Sequence, residues 1–269
     1  MTNIHTLIIP DIHGRTYWKD TLNKFNKKDY PNLPIVFLGD YLDPYTDIEG
    51  ITRLQAIDNF KEIIETVKND NRVHLLIGNH DMHYWYDDDH KSRVDLENYN
   101  IIKDIFLKNL TLFNIAYEEI INNQRYLYTH AGVTNYWLNH LHFVGKNVPR
   151  IHKKLKEDRI EFCKMLENMT PTANELNKMK LDFQGQALLW AASFLRGGDD
   201  DCGSCLWADF EEWVYENSNI PGIWQIFGHT WCAGGFDEGI IDKEKQIAML
   251  DSRCAWIITN DGEIKKAAI

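Results

Sequence analysis

Five short apolar segments in this chain are each followed at once by polar side chains that can bind a metal ion. Near-continuous apolar runs that end at Gly or Pro are typical of buried strands, and residues 4–10 are the first such run. A small residue lies beside the polar side chains in every case. The five stretches are DIHG, GDYLD, GNHD, THAG and FGHT, which contain Asp11 and His13, Asp40 and Asp43, Asn79 and His80, His130, and His229.

These five stretches are expected to meet in space. In open α/β sheets the carboxyl ends of the strands share one edge, and binding sites collect there. A single His or Asp at a strand end is usually a turn former or a cap, whereas five in succession predict a functional site. Carboxylate, amide and imidazole ligands in this number are enough for two adjacent divalent metal ions.

The fold class predicted from the pattern is α/β. Apolar runs at residues 33–39 and 72–78 alternate with helical spacing in TYWKDTLNKF and ITRLQAIDNFKEIIETVK, which predicts parallel strands with helices on the sheet faces. Residues 111–130 predict two strands joined at Asn122 and Asn123. Residues 134–217 have helical spacing and are interpreted as an insertion or cap, after which IWQIFG, QIAMLDS and AWIITND predict three more strands. Residues 1–269 are therefore expected to form a single domain.

Composition restricts the classes of partner. The net charge of −11 argues against nucleic-acid polymers, although a bound dication could still attract a phosphorylated substrate. The sequence contains no apolar window of about 18 residues and no signal-peptide pattern, so we expect no membrane association. The five cysteines, an odd count, favour reduced thiols and a cytoplasmic location. The lone C-x-x-C pair, Cys202 and Cys205, is expected to be structural or incidental.

The five stretches together resemble the motifs of the calcineurin-like metallophosphoesterases, in which D-x-H, G-D-x-x-D, G-N-H-[DE], an H with small neighbours and G-H follow one another. Residues 206–209 (LWAD) and 250–255 (LDSRCA) also resemble segments of the phosphoprotein-phosphatase-like branch, whose bacterial relatives include diadenosine tetraphosphatases. The resemblance implies a β-sandwich of mixed sheets flanked by helices. It also implies a metal-dependent enzyme that cleaves phosphoester bonds.

The resemblance also implies a role for each residue. Asp11 and His13 would bind a first metal ion, and Asp40 would bridge to a second. His80 would be the acid for the leaving group, oriented by Asp43, while Asp81 would support its loop. Many relatives place a second His after the last motif, but Trp231 stands there. The ligands implied for the second metal ion are Asn79, His130 and His229.

The ligand set predicts the chemistry. Two cations roughly 3.5–4 Å apart share a bridging hydroxide and aim it at phosphorus. The metal ions and Asn79 would neutralise phosphate oxygens as charge develops in the transition state. Mixed nitrogen and oxygen ligands suit Mn, Fe or Zn, of which we expect Mn.

The chain departs from the branch at Pro44, where relatives have an arginine that clamps phosphate. One explanation is that another arginine substitutes for it, and the candidates are Arg15, Arg53, Arg196 and Arg253. The other is that the reacting phosphorus carries less charge, as in a phosphodiester. Phosphomonoesters (including phosphoproteins) and nucleotide polyphosphates are the favoured substrates, and phosphodiesters are the alternative.

Two further interpretations stay open. Aromatic side chains in TYWKD, MHYWY and TNYWL are expected to pack in the core, or else to form a stacking wall at the site. The acidic runs at residues 87–90 and 199–201 are expected to be solvated loop tips. A catalytically inert metal-binding scaffold of the same fold is the non-enzyme alternative, although His80 and the six expected ligands are all present.

Overall fold

The computed structural model describes residues 3–86, 93–152, 155–214, 218–231 and 239–268. The acidic run at 87–90 and Cys232 therefore lie outside the described residues. The strands in these ranges are β1 (Ile4–Ile9), β2 (Ile35–Phe37), β3 (Val73–Leu76), β4 (Phe113–Asn114), β5 (Tyr117–Ile121), β6 (Gln124–Tyr128), β7 (Ile223–Phe227), β8 (Ile240–Asp242), β9 (Ile247–Met249), β10 (Trp256–Thr259) and β11 (Ile264–Lys266). The helices are α1 (Tyr17–Lys24), α2 (Thr46–Glu49), α3 (Arg53–Asn69), α4 (Asn79–Met82), α5 (Tyr99–Asn109), α6 (Asn135–Ile151), α7 (Glu157–Glu167), α8 (Ala173–Met179), α9 (Phe183–Leu189) and α10 (Phe210–Val214).

The strands form two mixed sheets. The first has the order β11-β10-β1-β2-β3-β4, and the second has the order β5-β6-β7-β9-β8. Strands β1 to β4 are parallel to one another, whereas β10 is antiparallel to β1, and β6, β7 and β9 are parallel in the second sheet. The predicted α/β class with mixed sheets and flanking helices is confirmed.

Both faces of the first sheet are buried, as its near-continuous apolar strands require. Ile8 of β1 packs with Tyr128 of β6 and Ile226 of β7, so this face meets the second sheet. Leu7 and Ile9 point the other way, into a larger core that the helices cover. The two sheets therefore pack face to face with helices outside, and the carboxyl ends of β1, β2 and β3 lie side by side.

Helix α3 shows how local sequence fixes one covering element. Thr52 caps its first turn in a capping box with Gln55, which satisfies two backbone N–H groups that the helix cannot satisfy itself. Its buried residues include Ile57, Phe60 and Ile64, spaced three to four apart, so one face of the helix lies on the sheet.

The structure differs from the predicted elements in residues 111–120. One strand was expected there, but Phe113–Asn114 joins the first sheet beside β3 while Tyr117–Ile121 begins the second sheet. The hairpin at Asn122 and Asn123 is present, and both residues adopt the left-handed backbone conformation that such a tight turn needs. The edge strands β8 and β11 were not predicted.

Residues 134–217 contribute helices α6 to α10 and, among their described residues, no strand of either sheet. Their status as an insertion within a single domain stays a prediction. Across the part of the chain that the structure describes, no helix has the length and apolar character needed to cross a bilayer.

Candidate metal centre

Two of the five strand-end stretches, DIHG and GDYLD, bring Asp11, His13 and Asp40 together at the edge of the first sheet. Single ligand atoms of these residues all lie within 4.8 Å of one another, and the three residues are buried. His13 Nδ1 lies 2.8 Å from the carbonyl oxygen of Leu42 and donates its hydrogen there. The lone pair of His13 Nε2 is then free to face Asp40 Oδ2, 3.4 Å away.

A second group of possible metal ligands combines Asp40 at the edge of the first sheet with residues that follow strands of the second sheet. Asp40, His130 and His229 also have ligand atoms within 4.8 Å of one another. His130 Nδ1 donates to the carbonyl of Leu38 at 2.8 Å, so Nε2 of the neutral ring is an acceptor. That Nε2 faces Asn79 Oδ1 at 2.9 Å and Asp40 Oδ2 at 3.5 Å, which are acceptors as well.

This convergence fits a bound cation. Several lone pairs directed at one point repel one another unless a positive charge lies between them. His229 Nδ1 joins the group at 3.0 Å from Asn79 Oδ1 and 3.2 Å from His130 Nε2. Asp40 belongs to both groups, which is the arrangement that a shared ligand of two metal ions requires.

Two glycines allow the carboxylates to approach their neighbours closely. A Cβ at Gly78 would lie 2.1 Å from Asp40 Oδ1, and one at Gly228 would lie 2.0 Å from Asp11 Oδ1. Both distances are far inside van der Waals contact. The site therefore requires glycine at both positions, Gly78 in GNHD and Gly228 in FGHT.

Several polar side chains leave their strands through strained turns. His13, Asp40, Asp43 and His229 have φ angles of 42°, 54°, 54° and 67°. Non-glycine residues seldom adopt this left-handed conformation, although Asp, Asn and His do so more readily than others. These left-handed residues lie in the turns that follow the strands, and the side chains of His13, Asp40 and His229 are among the possible metal ligands.

Burial sets the protonation of the site. It raises the pKa of Asp11 to about 6 and that of Asp40 to about 8, and the charge of Asp40 adds to the upward shift of the Asp11 pKa. Burial lowers the pKa of His13 and His229 well below the usual value, and lowers that of His130. Neutral imidazole is the form that binds metal, and a dication would hold the carboxyls ionised.

His80 and Asp43 form a pair beside these groups. His80 Nδ1 lies 2.9 Å from Asp43 Oδ2, and the Tyr84 hydroxyl donates to the other carboxylate oxygen. Burial raises the pKa of Asp43 to about 8 and lowers that of His80 well below its usual value. His83 also lies within 4.8 Å of both, but hydrogen bonds already occupy both oxygens of Asp43.

Asp81 joins the ends of β2 and β3. Its carboxylate accepts hydrogen bonds from three backbone N–H groups, those of Asp40 at 2.8 Å, Tyr41 at 2.9 Å and Gly78 at 2.8 Å. These contacts agree with the supporting role expected for Asp81, because they fix the loop that carries Asp40.

Members of the two groups of possible metal ligands and His80 line a cavity of 250 Å³. Arg196 reaches it from the helical segment, held by Asp209 at 2.5 Å and by the Thr230 hydroxyl at 2.6 Å. Trp207 and Tyr45 are its aromatic walls, and neither belongs to the three aromatic stretches singled out in the sequence. The described residues lining the cavity are His13, Asp40, Tyr45, Asn79, His80, Arg93, Arg196, Trp207 and His229.

The other predicted arginines point elsewhere. Arg15 makes two hydrogen bonds of 2.8 Å to Glu49, and Arg253 lies 3.0 Å from the same carboxylate. Arg53 pairs with Asp95 at 3.2 Å. None of the three is among the described residues that line the cavity.

Arg93 was missed by the sequence analysis. Its guanidinium donates to the carbonyl of Asp43 at 2.7 Å and lies 3.1 Å from His80 Nε2 and 3.8 Å from the centre of the Tyr45 ring. No motif surrounds it, and it follows His80 by thirteen residues. An arginine near the third stretch was the only available signal, and many arginines meet that description.

The four cysteines that the structure describes do not line the cavity at this centre. Cys163, Cys202, Cys205 and Cys254 are free thiols, and burial raises the pKa of Cys202 to about 12 and that of Cys205 further. Thiols that stay protonated at neutral pH are poor nucleophiles, which agrees with the structural or incidental role expected for the C-x-x-C pair.

The chain matches one protein family, and a solved structure resembles it more weakly. A protein serine/threonine phosphatase from Saccharomyces cerevisiae, described as similar to human phosphatase PP5, matches at 14% identity and a TM-score of 0.44, over 99% of this chain and 80% of that one. No curated protein matches the chain by sequence. The sequence profile of the calcineurin-like phosphoesterases matches residues 4–232. That match contains all five strand-end stretches, and the chain therefore belongs to the calcineurin-like phosphoesterase family.

Proposed function

We propose that this protein hydrolyses phosphoester bonds with two divalent metal ions, of which Mn is the expected one and Fe or Zn the alternatives. The observation that carries the proposal is the convergence of His130 Nε2, Asn79 Oδ1 and Asp40 Oδ2, which are all lone-pair donors to a cation once Asp40 is ionised. Asp11 and His13 would hold one metal ion, Asp40 both, and Asn79, His130 and His229 the other. When bound, the metal ions supply an activated water as nucleophile and positive charge for the phosphate oxygens.

His80 would protonate the leaving oxygen. In the free protein Arg93 donates to His80 Nε2, so Nδ1 carries the ring hydrogen and donates to Asp43. Phosphate oxygens that compete for Arg93 would release Nε2 to face the leaving group. With Arg93 displaced, His80 Nε2 would take up a proton as the phosphate binds, and Asp43 would stabilise the imidazolium that delivers this proton to the leaving oxygen.

A phosphomonoester is the favoured substrate. Arg93 and Arg196 both line the 250 Å³ cavity, and two guanidiniums in addition to the metal ions favour a dianionic phosphoryl group. They could replace the arginine that is absent at Pro44. Phosphoproteins and nucleotide polyphosphates both present such a group. A phosphodiesterase is the second candidate, because Pro44 leaves one fewer cation on this loop than the branch normally has.

The first experiment separates ligands from the acid. Mn-stimulated hydrolysis of p-nitrophenyl phosphate is expected in the wild type, and Asp40→Asn should lose both activity and metal content. His80→Ala should lose activity and keep its metal, as measured by elemental analysis. Loss of metal from His80→Ala would show that the division between ligands and acid is wrong. A wild type that binds Mn but does not hydrolyse the ester would favour the inert scaffold.

The second experiment addresses the substrate class. A monoester, a diester, a dinucleotide polyphosphate and a phosphopeptide are compared by kcat/KM with Mn. A diester preferred over the monoester would overturn the assignment to phosphomonoesters and support the phosphodiesterase.

A further inference from the structure

A second and larger cavity opens next to the metal centre. Its volume is 660 Å³, against 250 Å³ for the cavity at the metal ligands, and its lining includes Pro44, Ile48 and Leu54. The two cavities share Tyr45 and Arg93 as walls. We call the one at the metal ligands the inner cavity and the other the outer cavity.

We propose that the outer cavity binds the leaving group of the substrate, and that it selects an uncharged group with an aliphatic arm, such as a phosphopeptide with an aliphatic residue beside the phosphorylated one. This inference rests on the proposed phosphomonoester hydrolysis. The shared walls are the first argument. A group attached to phosphorus in the inner cavity that passes Tyr45 and Arg93 enters the outer cavity.

Size is the second argument. Pockets that enclose small ligands usually have volumes of about 300–1,000 Å³. The inner cavity falls below this range with 250 Å³ and has room for a phosphoryl group beside its ligands, whereas the outer cavity lies within it with 660 Å³. The part of a substrate that is recognised therefore has to extend into the outer cavity.

The balance of charge is the third argument. Among the described residues that line the outer cavity, Arg53 and Arg93 are opposed by Asp47 and Glu97. The described lining thus offers no surplus of positive charge for the further phosphates of a polyphosphate chain. An uncharged leaving group fits this wall better than a nucleotide polyphosphate does.

Exposed aliphatic side chains supply the selectivity. Ile48 in α2 is 70% exposed and Leu54 in the first turn of α3 is 64% exposed, and both line the outer cavity. Pro44 adds a third apolar wall at the position where relatives have an arginine. An aliphatic arm of the substrate would remove these surfaces from water, and such burial is favourable in proportion to its area.

The test uses two phosphoserine peptides that differ only in the flanking residues, leucine in one and asparagine in the other. In the wild type with Mn, kcat/KM for the leucine peptide should exceed that for the asparagine peptide by about tenfold, the usual effect of one apolar group in a pocket. The double variant Ile48→Ala/Leu54→Ala should bring this ratio close to one, and it should still hydrolyse p-nitrophenyl phosphate measurably because no metal ligand has changed.

The matched control is Ile151→Ala/Leu181→Ala, which shortens two aliphatic side chains that are 72% and 78% exposed and do not line either cavity. This control should keep the preference for the leucine peptide. A preference that survives in Ile48→Ala/Leu54→Ala, a wild type without preference, or a higher kcat/KM for ATP than for both peptides would overturn the inference. In all three cases p-nitrophenyl phosphate hydrolysis still supports the proposed function, and its absence from the wild type would refute both.

Discussion

Arg93 is the residue that the phosphomonoester assignment needs most. Its guanidinium lies between the carbonyl of Asp43, His80 Nε2 and the ring of Tyr45. Because hydrogen bonds to charged groups contribute roughly 1.5–3 kcal/mol, we expect Arg93→Ala to lower kcat/KM for p-nitrophenyl phosphate by about ten- to a hundredfold. Arg93→Lys should recover part of the loss, since the charge remains but the planar pair of donors does not.

The matched control for Arg93 is Arg150→Ala, which removes an exposed arginine at the end of α6. It should leave kcat and KM close to the wild-type values. Equal kcat and KM values for Arg93→Ala and Arg150→Ala would show that Arg93 does not contribute to the reaction.

His80 makes a separate prediction about leaving groups. A nitrophenolate leaves without help, whereas an alkoxide needs a proton in the transition state. His80→Ala should therefore slow hydrolysis of an alkyl phosphate more than that of p-nitrophenyl phosphate. The measurement is the ratio of the two kcat values in the variant and in the wild type, and an unchanged ratio would contradict the acid role.

The strand-end residues were predictable because apolar runs and short polar motifs are both local features of the sequence. Asp11, Asp40, Asn79, His130 and His229 each follow directly from such a run. Arg93 was not predictable in this way. It lies between α4 and α5, and the sequence near it contains no apolar run that predicts its position.

At the level of elements, Asp81 connects the ends of β2 and β3. Replacing it with alanine would leave the backbone N–H groups of Asp40, Tyr41 and Gly78 without their acceptor. Each buried donor left unsatisfied costs about 1–3 kcal/mol, so Asp81→Ala should lower the free energy of unfolding by at least about 3 kcal/mol. Chemical denaturation measures this loss.

The control for Asp81 is Asp58→Ala, which removes an aspartate whose side chain is 72% exposed on α3. An exposed substitution of this kind normally changes stability by about 0.5 kcal/mol or less. Comparable losses for the two variants would show that the bonds made by Asp81 do not stabilise the loop.

Strands were predictable where they are buried, and less so at the edges. β1, β2 and β3 have apolar residues on both faces, which marks them in the sequence. Strands β8 (Ile240–Asp242) and β11 (Ile264–Lys266) have three residues each and lie at the ends of their sheets, so pairing with a neighbour defines them more than their own pattern does. The division of residues 111–120 between two sheets likewise depends on packing of the whole molecule.

At the level of the whole molecule, the buried site links stability to pH and metal. Asp40 and Asp43 have pKa values raised to about 8, so the folded protein without metal holds more protons than the unfolded chain up to that pH. The buried imidazoles, whose pKa values are lowered, act in the opposite direction only below about pH 6.5. The free energy of unfolding of the chelated protein should therefore fall between about pH 6.5 and pH 8.

Bound metal should remove this dependence of stability on pH. A dication replaces the protons and keeps the carboxyls ionised, so the increase in Tm on adding Mn should be larger at pH 8 than at pH 6.5. Thermal unfolding in EDTA and in Mn at the two pH values measures the effect. The Asp40→Asn variant is the control, since it should show a smaller metal-dependent increase, and equal increases at both pH values would contradict the linkage.

The left-handed turns at His13, Asp40, Asp43 and His229 have a consequence for how such a protein could change over generations. Glycine adopts this conformation without strain, so an exchange to glycine at these positions would relax the backbone while deleting a ligand or the partner of the acid. The same substitution would make the fold easier to maintain and the enzyme inactive. A chain that acquired glycine at these positions would therefore keep the fold with a more relaxed backbone and lose the side chains that the proposed reaction needs.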